Sequence, residues 1–373
     1  MEALVSAPWH GRRVLVTGHT GFKGSWLSLW LHAMGAEVSG FALPAPTRPS
    51  LFEMARVDTL LDHVEGDVRD ESALRAVVES TRPEVIFHLA AQPLVRASYD
   101  DPVGTYATNV MGTAHVLEAA RQVPGVGAIV CVTSDKCYEN REWVWPYRET
   151  DAMGGHDPYS SSKGAAELVV AAYRRSFFTD QGPAVASVRA GNVIGGGDWA
   201  TDRLIPDLVR AFEAGRAPLI RSPGAVRPWQ HVLEALGGYL AIAERLLAGD
   251  AAFATGWNFG PSMEDARPVS WIVERMRTAW QPPAHDPIRA DGQQLHEAGL
   301  LRLDCSKARS ALGWQPVLGL QHALEWVVDW HQAVAAGGEA RDITLAQIAA
   351  YAELRFGRSG NLPATSRSLE EIR

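Results

Sequence analysis

The run Gly18-His19-Thr20-Gly21-Phe22-Lys23-Gly24 directly follows an apolar segment, residues 14–17, and leads into a second one, residues 26–31. An apolar strand that ends in three glycines spaced three apart and then opens a helix presents bare backbone N–H groups and a helix N-terminus to a diphosphate. Gly18 allows the tight turn, Gly21 the close approach of a phosphate, and Gly24 the packing of helix on strand. The run therefore predicts a dinucleotide site.

Around it, apolar runs at residues 14–17, 37–43, 84–91 and 128–133 read as strands, with helical patterns over 25–34, 72–81 and 103–121 between them. Short continuous apolar strands separated by amphipathic helices imply a parallel sheet covered on both faces, the α/β doubly wound parallel sheet of Rossmann type. A long helix over 158–178 and a strand over 185–189 extend it. Beyond them the pattern loosens into helices over 204–214, 232–248, 306–312 and 322–335 and a short strand over 218–221, predicting a smaller C-terminal α/β substrate lobe. The boundaries expected are 9–190 for the dinucleotide-binding domain with the catalytic residues and 191–356 for a mainly substrate-binding lobe, between which the chain crosses. Residues 357–373 form a polar tail.

With 373 residues, of which 46% are hydrophobic, the chain can bury a large core. The formal charge of −8 argues against nucleic acid and anionic membrane as partners, so an anionic substrate must be met by locally placed arginines. Cys131, Cys137 and Cys305 are too few and too scattered for a disulfide framework or a zinc site, and His19, His88 and His156 have no metal-ligand spacing, so no metal is assigned. No stretch has the uncharged length needed to span a bilayer, and residues 1–13 lack an apolar signal core. A reducing cytoplasm is the expected location.

Tyr159 and Lys163 stand four residues apart, which on a helix places phenol and ammonium on one face. A phenol has a reference pKa of about 10, and a nearby lysine cation favours the phenolate, making Tyr159 a base for a sugar hydroxyl. Ser134 falls at the carboxyl end of the strand over 128–133, where doubly wound sheets hold their ligands.

On the glycine triplet, the strand-end serine and Tyr-x-x-x-Lys, the chain resembles the extended short-chain dehydrogenase/reductase family from about residue 9 to about 331. The resemblance implies that Gly18, Thr20, Gly21, Phe22, Lys23 and Gly24 hold the diphosphate end of the cofactor. It also implies that Asp67 and Val68 meet the adenine, that Leu89, Ala90 and Ala91 line the cofactor, and that Ser134, Tyr159 and Lys163 act on the substrate hydroxyl. Within Thr133-Ser134-Asp135-Lys136-Cys137-Tyr138 the chain is similar to sugar-nucleotide 4,6-dehydratases. Lys136 stands where those acting on dTDP-glucose or GDP-mannose usually carry glutamate. The Asp-Lys pair, with the glycine run, Gly195-Gly196-Gly197-Asp198-Trp199 and Arg227-Pro228-Trp229-Gln230-His231, resembles the branch that takes a CDP-linked glucose in deoxysugar and O-antigen synthesis.

The activity so implied is oxidation at C4, elimination of water across C5 and C6, and return of the hydride to C6, with Tyr159 as the C4 base, Asp135 as the C6 acid and Lys136 as the C5 base. The resemblance also places Asn192 and Arg227 on the substrate diphosphate, Arg203 near the nucleotide and Gln92 in the substrate site, while Trp199 and Trp229 either stack on the base or fill the lobe. Two other readings stay open at this point: a 4-epimerase or 4-reductase, which needs no acid–base pair at 135 and 136, and a catalytically silent NAD-binding sensor. The segment 41–44 lacks the acidic residue that often binds the adenosine ribose. NADP would need cations, and only Arg48 lies close in sequence, so NAD is the expected cofactor. Small apolar residues on several faces of the helix carrying Tyr159 suit a homodimer or homotetramer.

Overall fold

The computed structural model describes residues 8–179, 182–281, 289–290 and 299–357; the expected polar tail beyond 357 lies outside them. Seven strands form one parallel sheet: β1 (Arg13–Thr17), β2 (Glu37–Ala42), β3 (Asp62–Glu65), β4 (Val85–His88), β5 (Ala128–Val132), β6 (Ala184–Ala190) and, much later in the chain, Gly256–Phe259. The spatial order runs from Gly256–Phe259 through β6, β5, β4, β1 and β2 to β3. It reverses direction between β1 and β4, and such a switch point opens a crevice at the carboxyl ends of the strands.

Alternation along the strands divides the core. Val14, Val16, Val85, Phe87, Val130 and Val188 pack on one face with Trp26, Trp30 and Leu236. Leu15, Ile86, Ile129 and Val185, their neighbours in sequence, pack on the other with Leu74, Val78 and Leu117. That is the period-two signature of a sheet buried on both sides.

The first helix, Phe22–Ala33, is buried without interruption from Gly24 to Leu31 because sheet and C-terminal helix enclose it. Trp30 meets Tyr351 of the Ala340–Phe356 helix edge to face at 5.6 Å, and the Trp26 indole N–H donates to Gly196 O at 2.9 Å. Replacing Trp26 by alanine would cost roughly 3–5 kcal/mol.

The smaller lobe adds β7 (Asn192–Ile194), the short β8 (Leu219–Ile220), β9 (Val226–His231), β10 (the Gly256–Phe259 strand already placed in the large sheet) and β11 (Ala266–Pro268). β7, β9 and β11 form a three-stranded sheet, and Leu208, Phe212, Ile272, Met276, Leu324 and Val327 build a third hydrophobic cluster. β10 lies beyond residue 190 yet hydrogen-bonds in parallel with β6, so the chain crosses back to the large sheet. No helix among the described residues is long and apolar enough to cross a membrane.

The helix expected over 103–121 is not one regular helix. It runs as Pro102–Tyr106, a π-helical turn Ala107–Met111 and Gly112–Gln122. The wider turn carries Asn109, whose carboxamide accepts from Gln92 N at 2.8 Å and donates to Gln92 O at 3.0 Å and Ser162 Oγ at 2.8 Å. A π-turn inside a helix often marks such a site, and here it ties the loop after β4 to the helix bearing Tyr159.

Candidate active site

At the carboxyl ends of the strands lies a cavity of about 720 Å³, bounded by the glycine loop, residues 89–91, the turn after β5 and the smaller lobe. A second cavity, of about 550 Å³, opens among Arg13, Glu37 and Asp62 at the amino ends of the strands and holds none of the site residues.

The glycine loop fits a diphosphate for steric reasons. Gly18 has φ +77°, and a Cβ there would fall 2.6 Å from Ala90 N. A Cβ on Gly24 would fall 2.1 Å from Gly18 O. On Gly21 it would meet only Gly18 O, at 3.3 Å, and otherwise stand in space beside the cavity wall. The Thr20 hydroxyl donates to Leu43 O at 2.8 Å and pins the loop to the end of β2. Gly21 caps the Phe22–Ala33 helix with no side chain on its N-terminus, which leaves amide donors for an anion.

Thr20, Phe22, Lys23, Asp67, Val68, Leu89, Ala90 and Ala91 all line the same cavity. Asp67 accepts three hydrogen bonds from Arg69, which hold its carboxyl below the usual range. Arg48, the one cation expected near the ribose, is exposed, pairs with Glu53 at 3.3 Å and does not line the cavity.

The chemical centre is built from two elements. Ser134, extended and two residues past the end of β5, accepts at its hydroxyl from Lys136 N at 3.2 Å and donates to Asp135 Oδ1 at 3.0 Å, starting the single 3-10 turn of residues 135–137. Facing it is the Pro158–Ser176 helix. Asp157 fixes its start by accepting from Ser160 N at 2.8 Å and Ser160 Oγ at 2.6 Å, with Pro158 at the first helical position; such a cap is worth about 1 kcal/mol. Tyr159 is tied further by its N–H donating to Ser98 Oγ at 3.1 Å.

Ser134, Asp135, Lys136, Tyr159 and Lys163 thus share one cavity. The Ser134 hydroxyl lies within hydrogen-bonding reach of the Tyr159 phenol, and Lys163 Nζ donates to Val132 O at 3.5 Å.

Burial controls the titration of Asp135, Tyr159 and Lys163. It raises the Asp135 carboxyl against the pull of Lys136, Ser134, Arg227 and Lys23, and Asp135 Oδ2 is buried without a partner. A carboxyl so raised is suited to holding a proton. Burial pushes the Tyr159 phenol up to about 12, against the hydrogen bond from Ser134, and the Lys163 ammonium down to about 8.

Lys23 reaches this centre as well as the cofactor loop. Burial, then Arg203 and Lys163, lower it to about 7, opposed by Asp135 and Asp198.

From the smaller lobe, Asn192 on β7 and Arg227 on β9 line the cavity on adjacent strands, Asn192 opposite Trp229 in register. Arg227 donates to Val226 O at 3.1 Å and Gly299 O at 3.2 Å. Arg203 lines it too and pairs with buried Asp198 at 3.0 Å. Gln92 is the exception. It does not line the cavity, because its carboxamide bonds Leu94 N and O and Thr105 Oγ1 and thereby shapes the loop after β4.

Trp199 and Trp229 line the cavity with both indole N–H groups buried and unpartnered. Sequence reasoning missed Arg96 and Arg221, which line the cavity and both reach Asp202, at 3.7 Å and 3.1 Å. His19 and His88 are hydrogen-bonded to His63 at 2.7 Å and to Thr17 at 2.7 Å.

A doubly wound sheet with a glycine-loop cradle, a strand-end serine and a Tyr–Lys pair under a smaller lobe defines a sugar-nucleotide-modifying enzyme of the extended short-chain dehydrogenase/reductase class. Within that class the chain belongs to the GDP-mannose 4,6 dehydratase family, whose sequence profile matches residues 15–326. It is 56% identical over 334 residues to a CDP-glucose 4,6-dehydratase of Salmonella typhimurium strain LT2, covering 88% of this chain and 93% of that one.

Among solved structures it is similar to a dTDP-glucose 4,6-dehydratase of Streptomyces venezuelae with NAD bound, at 25% identity and TM-score 0.74, covering 88% of this chain and 99% of the other. It also shares its fold with a UDP-glucose 4-epimerase of Thermotoga maritima, at 21% identity and TM-score 0.74, covering 86% and 99% of the two chains.

Proposed function

We propose that this chain is an NAD-dependent CDP-glucose 4,6-dehydratase, which converts CDP-D-glucose to CDP-4-dehydro-6-deoxy-D-glucose and water. The observation that carries the reading is the meeting of Asp135 and Lys136 with Tyr159 and Lys163 in one cavity, since an epimerase or reductase needs only the second pair. The 56% identity to the Salmonella enzyme supports the cytidine nucleotide.

The backbone of Gly18–Gly24, with Asp67, Val68 and Leu89–Ala91, would hold the dinucleotide, and the absence of Arg48 from the cavity favours NAD over its 2′-phosphorylated form. When bound, the cofactor supplies the two-electron acceptor and donor and ends the cycle in its starting state. Arg227 and the Asn192 amide anchor the substrate diphosphate by charge-assisted hydrogen bonds, and Arg203 stands near the nucleotide.

Tyr159 takes the C4 hydroxyl proton as the phenolate, a form that the positive charge of the oxidised cofactor and the Lys163 ammonium one turn away would favour against burial, with Ser134 hydrogen-bonded to the phenol oxygen. The C4 ketone acidifies the C5 proton, and Lys136 removes it. Asp135, whose carboxyl burial raises, gives a proton to the departing C6 hydroxyl, which leaves as water. Proton transfer of this kind contributes about 10²–10⁴-fold each.

Two copies pair through the face carrying Val103, Tyr106, Met111, Leu168 and Phe177, large apolar side chains exposed on neighbouring helices. The enzyme works in the cytoplasm, in deoxysugar and O-antigen synthesis.

Incubation with CDP-glucose, dTDP-glucose, GDP-mannose and UDP-glucose separately, read by the alkaline absorbance of a 4-keto-6-deoxy product, tests the activity. Turnover of CDP-glucose alone is expected, and turnover confined to another nucleotide, or epimerisation without dehydration, refutes it. Identification of the nucleotide released on denaturation tests the cofactor, and light scattering of Leu168→Glu against the parent tests the pairing.

A further inference from the structure

Glu167 and Arg189 form an ion pair with side chains only 4% and 5% exposed, Glu167 on the Pro158–Ser176 helix and Arg189 on β6. The contact is bidentate: Arg189 Nε donates to Oε1 at 2.8 Å and Nη2 to Oε2 at 2.8 Å. Both carboxylate oxygens accept a second bond, Oε1 from Thr133 Oγ1 at 2.5 Å and Oε2 from Ser187 Oγ at 2.7 Å. The remaining arm of Arg189, Nη1, donates to the Tyr138 hydroxyl at 2.6 Å, and that hydroxyl donates to Asn258 Oδ1 on β10 at 2.7 Å.

Thr133 immediately precedes Ser134, and Tyr138 immediately follows the 135–137 turn. Glu167 stands one helical turn from Lys163 and two from Tyr159. None of Glu167, Arg189 and Tyr138 lines the cavity.

A buried ion pair is weak evidence for stability, because a well-packed apolar pair of like volume often serves as well; its best-attested use is to fix one arrangement of the parts around it. We infer that the Glu167–Arg189 pair is a positioning device that clamps both ends of the turn bearing Ser134, Asp135 and Lys136 and locks it to the helix bearing Tyr159 and Lys163. This rests on the dehydratase reading above, in which two proton-transfer pairs address neighbouring carbons of one hexose.

The two pairs come from different elements, and only a rigid tie holds their separation through oxidation and elimination. A misplacement of about 1 Å can cost about a hundredfold in rate. Burial opposes the charge on Glu167, but Arg189 and the bonds from Arg189, Thr133 and Ser187 keep its carboxyl below the usual range, so the tie stays ionised.

Glu167→Gln strands a buried guanidinium and endangers the fold, so the decisive variants lie at the two ends of the clamp. Thr133→Val keeps the shape of the residue and removes its donor; Thr133→Ser keeps the donor and removes a methyl group. With CDP-glucose, Thr133→Val is expected to lower kcat by about tenfold at unchanged KM, while Thr133→Ser stays close to the parent. Tyr138→Phe, at the opposite end, should reproduce the loss and carries the test if Thr133→Val does not fold.

An unchanged kcat in the folded Val or Phe variant, or equal losses in Thr133→Val and Thr133→Ser, overturns the clamp while leaving the dehydratase reading intact. A parent protein without dehydratase activity overturns both.

Discussion

At the glycine end the cavity is bounded chiefly by the backbone of one loop, residues 18–24, in which added Cβ atoms at Gly18 and Gly24 would collide with neighbouring backbone. At the far end the walls are side chains, with Asn192, Arg203, Arg221 and Arg227 contributed by separate segments of the smaller lobe and Asp198 and Asp202 placed among the cations. Backbone recognition is set once the loop has folded and tolerates no added atom. Side-chain recognition can be trimmed residue by residue, at a cost that depends on each charge. The chemistry of Asp135, Lys136, Tyr159 and Lys163 lies where the two kinds of wall meet.

The contrast is broken most completely by Gly24→Ala. The added Cβ would press to 2.1 Å from Gly18 O, so purified protein should carry no NAD and show no turnover; a normal NAD content on denaturation would show that the loop can yield.

Next in size, Asp135→Asn and Lys136→Ala should each lower dehydration by about a thousandfold while the bound nucleotide is retained. Unchanged turnover would remove the roles assigned to them.

Arg227→Ala should act on the opposite wall alone, raising KM for the nucleotide sugar by about ten- to a hundredfold with NAD content unaltered, the worth of a hydrogen bond to a charged group. Loss of NAD in that variant would mean that the two ends are not independent.

The smallest effect is a pH trend in the cofactor-free protein. Burial lowers the Lys163 pKa to about 8 from the ordinary 10.5 of a lysine. Between those limits the unfolded chain holds a proton that the folded chain has released, so raising the pH through this window favours the fold. The melting temperature relative to Lys163→Met should therefore rise by about a few degrees from pH 7.5 to 10, and a flat difference would show that the ammonium is not penalised by burial.

The parts written in the sequence are those that depend on local pattern. β1, β2, β4, β5 and β6 are short apolar runs, and the glycine triplet, Ser134-Asp135-Lys136 and the Tyr159–Lys163 spacing are contiguous or one helical turn apart. β3 escaped notice because Asp62-His63-Val64-Glu65 holds one apolar residue and edges the sheet. β9 was hidden by Pro228, which lacks the N–H a ladder uses, and β10 by Gly256 and Asn258, residue types depleted in strands.

In the site, the turning of Gln92 away from the cavity depends on Asn109 and Thr105, seventeen and thirteen residues distant. The Glu167–Arg189 partnership depends on how a helix lies against a strand. The raised phenol of Tyr159 is a property of enclosure, to which spacing along the chain is blind.

The lateral margin of the main sheet is completed by β10, a strand that the ribosome delivers only after the chain has passed through much of the smaller lobe. Until residue 256 emerges, β6 offers an open ladder to other nascent chains, and Tyr138 lacks the Asn258 acceptor. A fragment ending at residue 190 should therefore aggregate when expressed alone, and the enzyme should resist being split into two separately made halves at that point.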